Sequence, residues 1–206
     1  MIHINQTDKI HFTVETVRIV DSGVPSGVKA PLHLKFPIRL RELLDMADKS
    51  QAIVGNLAGV NQVTISLWET SKQLPRVDRC ERIALALSVK PSWLAYGPEG
   101  SLRFRQRRNL PAGARLHPVP ILRPATEIPL GSAGLPARLK SSREALGLSL
   151  RALGAAAGTS GQGIMIIERG DVLPGINTVE ALAVALDVAP GWLAFGDGEG
   201  PETWAN

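Results

Sequence analysis

Side chains capable of covalent or metal chemistry are few in this chain, and they stand apart. Cys80 is the one cysteine, so it cannot close an internal disulfide, which fits a reducing compartment. The four histidines (His3, His11, His33 and His117) never pair at the spacing that puts two metal ligands on one helix face. No Ser/His/Asp set is visible, and no glycine-rich phosphate loop joins a strand to a helix. The expectation is no catalytic residue, no metal, no cofactor and no enzyme. What remains is non-covalent chemistry, and the elements that position polar and charged groups decide it.

Bulk composition sets mild limits. The 206 residues suffice for one large or two small domains, each with its own core, and 44% hydrophobic with 20% charged residues describes an ordinary globular chain. No run approaches eighteen apolar residues, so no membrane-spanning helix and no membrane partner is expected. Met1–Val14 lacks a basic cluster leading an apolar run, so no signal peptide is expected; a cytoplasmic, nucleoid-associated protein is. The net charge of +4 is unevenly spread. Residues 36–97 carry eight basic and six acidic groups, 98–135 carry six and two, and 136–196 carry five of each. A basic first half and middle is weak evidence for a polyanionic partner.

An internal repeat organises the chain. A shift of 99 residues aligns Phe36–Gly97 with Leu135–Gly196 without a gap, and about a third of the paired positions are identical. Matches include Arg39/Arg138, Ser50/Ser149, Gly55/Gly154, Gly59/Gly158, Ile65/Ile164, Glu69/Glu168 and the Leu-Pro pairs at 74–75 and 173–174. Near the end, Ser-Trp-Leu-Ala-Tyr-Gly at 92–97 faces Gly-Trp-Leu-Ala-Phe-Gly at 191–196.

Each copy predicts a five-helix bundle. Pro37 suits a first helical position, with Ile38, Leu40, Leu43 and Ala47 as the apolar face. Ser50 caps a second helix whose Val54, Leu57 and Ala58 point inward. Gly59-Val60-Asn61 makes a tight turn, and Asn61 caps a third helix carrying Ile65 and Trp68. Leu74-Pro75 ends that run. A fourth helix bears Cys80, Ile83, Ala84 and Leu87, and a short fifth opens at Pro91 with Trp93 and Leu94 as anchors.

The segment Ser-Gln-x-x-Val-Gly-x-Leu-Ala-Gly-Val-Asn-x-x-Thr-Ile-Ser-x-Trp-Glu at 50–69 closely resembles the Xre-like (lambda-repressor/Cro) helix-turn-helix family, and so does the ending at 91–97. The fold implied is mainly α: two lambda-repressor-like five-helix domains in tandem at 35–98 and 135–197. A β-prone segment (1–34) precedes them, a basic Pro-containing linker (99–134) joins them, and an acidic tail (198–206) follows. Gly55 and Gly154 fall where that family needs a small residue for two helices to cross closely. Gly59 and Gly158 fall at the turn, where a positive φ favours glycine.

The resemblance also implies a function: a sequence-specific transcriptional regulator, a repressor, whose third helix presents its N-terminal side chains to base edges in the major groove of double-stranded DNA. In the first copy those positions are Asn61, Gln62, Val63, Thr64, Ser66 and Leu67. Gln62 can pair with adenine through two bonds, Thr64 or Ser66 with either kind of base, and Val63 can touch a thymine methyl. Ser50 and Gln51 match positions that grip phosphate, and Lys72, Arg76 and Arg79 would follow the sugar-phosphate backbone. The alternative for all of these is a plain polar surface.

The second copy departs from the pattern. Its equivalent stretch is Ser160, Gly161, Gln162, Gly163, Met165 and Ile166; Leu150 stands for Gln51, and Asp171 for Lys72. Glycine costs about 1 kcal/mol within a helix and offers no side chain to a base. Only Arg151, Gln162 and Arg169 remain as second-copy contacts, with Arg105, Arg107 and Arg108 in the linker as phosphate contacts or merely a solvated charge run. Family members often pair an arginine with the Glu that ends helix three; Arg143 and Glu168 keep that pair. Leu44 replaces the arginine in the first copy, leaving Glu69 to find another partner or face water. Met165 and Ile166 would form an apolar patch for a protein partner, unless a displaced helix buries them.

The β-branched alternation at 9–20 reads as a strand that must pair with another segment, Val119–Pro129 for instance, or with another chain. Assembly as a homodimer and as an intrachain pseudo-dimer are both open. A flexible linker over 98–134 would span about 30–37 Å, comparable to the roughly 34 Å between successive half-sites. The alternative function is an antitoxin-type protein whose second domain binds a partner while the first regulates its own operon.

Overall fold

A computed structural model of the chain describes residues 30–47, 49–103 and 131–198. The candidate strands at 9–20 and 119–129, Arg105, Arg107, Arg108 and most of the acidic tail lie outside them.

The first copy opens with a 3-10 turn, η1 (Leu32–Lys35), followed by α1 (Phe36–Met46), α2 (Gln51–Ala58), α3 (Gln62–Glu69), α4 (Val77–Ala86) and α5 (Pro91–Tyr96). A further 3-10 turn, η2 (Pro98–Ser101), closes it. The second copy repeats the order with η3 (Ser132–Gly134), α6 (Leu135–Ala145), α7 (Leu150–Ala156), α8 (Gly161–Glu168), α9 (Ile176–Leu186) and α10 (Pro190–Phe195). Start signals act as expected. Pro37 and Pro136 lie in the first turns of α1 and α6, and Ser50 and Ser149 accept the Ile53 and Ala152 amides at 3.3 and 3.1 Å.

The repeat is a repeat of core positions. Leu40, Val54, Ile65, Val77, Ile83 and Leu94 are fully buried, and so are their partners 99 residues on: Leu139, Leu153, Ile164, Ile176, Leu182 and Leu193. Both glycine expectations hold. A Cβ on Gly55 would lie 2.7 Å from the Val60 carbonyl oxygen, and one on Gly154 would lie 2.7 Å from the Ser160 carbonyl carbon. Gly59 and Gly158 sit at φ of 65° and 67°.

Two inward assignments are corrected. Ile38 is 41% exposed and Leu57 63% exposed. Phe36, Leu40, Leu43 and Leu44 define the buried stripe of α1, and Ile38 lies about 200° round from Phe36. In α2 the buried set is Val54, Gly55 and Ala58, and Leu57 lies about 100° from Ala58. The second copy has Ala137 and Ala156 at these places, also exposed. Trp93 is only half-buried.

The copies pack directly on one another, and their buried side chains join in one continuous core. The contacts are reciprocal. Val77 N–H donates to the Pro174 carbonyl at 3.0 Å and Ile176 N–H to the Pro75 carbonyl at 3.1 Å, forming an antiparallel bridge between Arg76 and Gly175. Glu180 accepts from the Leu32 and His33 amides at 2.8 and 3.0 Å and from the His33 ring at 2.8 Å. Glu81, its counterpart, accepts from the Gly131 and Ser132 amides and the Ser132 hydroxyl. Helices α5 and α10 pack across the centre, where Tyr96 Oη donates to the Ile176 carbonyl at 3.1 Å. Residue i meeting j while j's counterpart meets i's is the signature of a two-fold axis. The spacing of the copies is therefore set by this interface, not by the reach of the linker.

One arginine braces the interface side of each unit. Arg39 donates to the carbonyls of Leu94, Ala95 and Leu32, and Arg138 to those of Leu193, Ala194 and Gly131. The carbonyls at the ends of α5 and α10 carry the negative end of each helix dipole, so cations are favoured there. Burial nevertheless pulls the Arg39 guanidinium down to about 10 and lowers Arg138 as well. Burial pushes the Cys80 thiol and the Tyr96 hydroxyl up.

Candidate nucleic-acid interface

The start of α3 is built by Asn61. Its Oδ1 accepts the Thr64 amide at 2.7 Å and the Thr64 hydroxyl at 2.6 Å, fixing the first turn. That leaves the Asn61 amide nitrogen with both hydrogens to give and Thr64 Oγ1 with lone pairs to accept. Ile65 and Trp68 hold the opposite face of the helix in the core. Asn61, Gln62 and Val63 are exposed, with Val63 at 66%, while Thr64, Ser66 and Leu67 are half-buried. The expected reading positions are thus brought onto one surface.

Around α3 the expected backbone contacts are partly occupied. Gln51 does not stand free: its Nε2 donates to Glu69 Oε2 at 2.7 Å, while Arg41 donates to the Glu69 carbonyl at 3.2 Å. This answers where Glu69 goes without an arginine, since Leu44 has turned into the core. Arg79 donates to the Gly59 carbonyl at 2.6 Å, bracing the turn between α2 and α3. Arg76 lies 3.5 Å from Asp78, and Lys72 is exposed.

The second copy has the same scaffold with a different outer face. Ser160 accepts the Gly163 amide at 3.0 Å and caps α8. Gly161 is a close-approach residue: a Cβ there would lie 3.1 Å from the Arg151 Cα and amide nitrogen. Gln62, at the matching place, carries a Cβ, so α3 must stand further from the start of its partner helix than α8 does. Gln162 is exposed, but it occupies the place of Val63. Met165 is 37% exposed and Ile166 half-buried. Arg151 is exposed, and Arg169 is paired with Asp171 at 3.1 Å. The expected lock is present: Arg143 donates to both Glu168 oxygens at 2.6 and 2.8 Å.

Residues 40–94 match a family described as helix-turn-helix, and residues 135–193 match one described as a helix-turn-helix domain. The chain is a tandem helix-turn-helix protein. No curated protein and no solved structure matches it. Helix-turn-helix domains are DNA-binding elements, and on that ground this tandem helix-turn-helix protein is a DNA-binding regulator in the general sense. Among the described residues no helix is long and apolar enough to cross a membrane, and no cluster of three metal-ligating side chains occurs.

The groups that sequence reasoning missed in this tandem helix-turn-helix protein are the interface carboxylates Glu81 and Glu180. A signal existed: they match across the repeat, and each stands on the apolar stripe of its helix, between Val77, Cys80 and Ala84 in one and Ile176, Val179 and Ala183 in the other. Burial works to raise Glu180, but bonds from the His33 ring and the Leu32 and His33 amides outweigh it and hold the carboxyl below the usual range.

Proposed function

We propose that this protein is a sequence-specific transcriptional repressor that reads the major groove with α3 of its first domain (35–98), while its second domain (135–197) serves structure rather than sequence readout. The observation that carries the reading is the contrast between matching faces. Asn61, Gln62, Val63 and Thr64 present donors, acceptors and a methyl surface; Ser160, Gly161, Gln162 and Gly163 present one amide and two bare backbone positions. Gln62 is the chief base-reading residue, because a long exposed amide can bond an adenine edge through two bonds. Asn61, Thr64 and Ser66 add shorter contacts, and Val63 an apolar one. Ser50 and Gln51 face a phosphate, with Gln51 using the amide hydrogen that Glu69 does not take. Lys72, Arg76 and Arg79 contribute charge along the backbone, and repression follows from occluding a promoter. Selection of bound DNA from a random duplex library tests this. The expected outcome is one enriched motif that lowers transcription when placed in a promoter. Absence of any motif at low and moderate salt would reject the reading.

A further inference from the structure

We infer that a single chain binds DNA as a monomer, on an asymmetric site, its second domain occupying the place that a second protomer takes in a symmetric dimer. The inference rests on the DNA-reading function proposed for α3 and specifies the kind of site it recognises.

The interface between the domains has the form of a dimer interface. Both amide-to-carbonyl bonds of the Arg76–Gly175 bridge, both buried carboxylates on opposing 3-10 turns, and the packing of α5 on α10 obey the same exchange of positions. Two-fold interfaces use one self-complementary patch twice. Here both uses of that patch are spent within one chain, so the carboxylates, turns and bridge residues that would join a second copy already have their partners.

The operation that superimposes one scaffold on the other also relates α3 to α8, but not their outer surfaces. Gln62 becomes Gly161 and Thr64 becomes Gly163. The three cations flanking α3 are lost together: Lys72 becomes Asp171, Arg76 becomes Gly175 and Arg79 becomes Thr178. Asp171 is exposed and pairs with Arg169 at 3.1 Å, so the cation on that side is already answered by an acid. Palindromic operators mirror two identical reading helices. A scaffold that is two-fold in its core and one-sided on its surface has no use for a palindrome. Its site has one read half, and the sequence beside it is tolerated.

The test couples light scattering with the selected motif. Scattering should give the mass of one chain, 22.0 kDa, across a wide concentration range and one chain per duplex on the selected site. The motif should lack inverted symmetry, and scrambling the flank on the second-domain side should change affinity less than about threefold. A palindrome occupied by two chains, or a free protein of twice the mass, would overturn the inference while leaving α3 as the reader. Failure to enrich any motif would instead sink the DNA-reading function, and this inference with it.

Discussion

Helices α3 and α8 hold matching places in the two domains, and their buried sides have stayed alike while their outer sides have parted. Ile65 and Ile164 are both fully buried, Glu69 and Glu168 both end the helix, and Asn61 and Ser160 both cap it. Outward, α3 displays the Gln62 amide, the Val63 methyls and two half-buried hydroxyls, while α8 displays the Gln162 amide, a methionine and two half-buried glycines. The lesson lies in what constrains each side. A core position answers to close packing, where one methylene is felt. An outer position answers only to whatever it binds.

The locks behind the two helices differ as well, and they offer the largest test. In the second domain the Arg143 guanidinium holds both oxygens of Glu168, a nearly buried carboxylate. Arg143→Leu would leave that charge unpaired, at a cost of about 3–5 kcal/mol in urea unfolding. Adding Leu150→Gln recreates the first domain's arrangement, in which Gln51 serves Glu69, and should return part of the loss. If the double variant is no more stable than the single one, the two locks are not alternative solutions to one problem.

The two interface carboxylates come next. Glu180→Gln weakens three hydrogen bonds to a charged acceptor and should cost about 1.5–3 kcal/mol at neutral pH. Because the folded Glu180 carboxyl lies below its ordinary value of 4.5, its contribution is present above that pH and fades as pH falls through the lowered value. In Glu180→Gln that part of the acid limb should flatten. The continuous core further predicts one unfolding transition, followed together by Trp68 in the first domain and Trp192 in the second; two separated transitions would refute the shared core. The smallest effect concerns the caps. Ser50→Ala and Ser149→Ala should each cost about 1 kcal/mol, and about equally, since both hydroxyls cap in the same way.

Much of this was legible in the sequence because the repeat doubled every signal. Gly55 with Gly154, and Gly59 with Gly158, marked one crossing and one turn twice over. Ser50 and Asn61 marked the starts of α2 and α3. The misplacement of Ile38 and Leu57 has a simple cause: apolar character alone does not say which side of a short helix is covered. The Gln51–Glu69 bond was hidden because Gln51 and Glu69 lie on different helices, and only their packing reveals that the amide replaces a missing guanidinium. The interface was hidden for a related reason. Glu81 and Glu180 find their partners in the opposite domain, and a 99-residue register aligns like with like without saying that the two halves touch. Divergence at Gly161 and Gly163 was visible at once; that Gly161 lets α8 approach the Arg151 backbone was not.

The most direct test of the account is the affinity of Gln62→Ala and of Gln162→Ala, measured side by side on the selected duplex at one salt concentration. The account predicts that Gln62→Ala loses about 1–3 kcal/mol, roughly 5- to 150-fold, and relaxes the preference at one base pair, while Gln162→Ala binds as the parent does. Equal losses from the two changes, or a loss from Gln162→Ala alone, would contradict it.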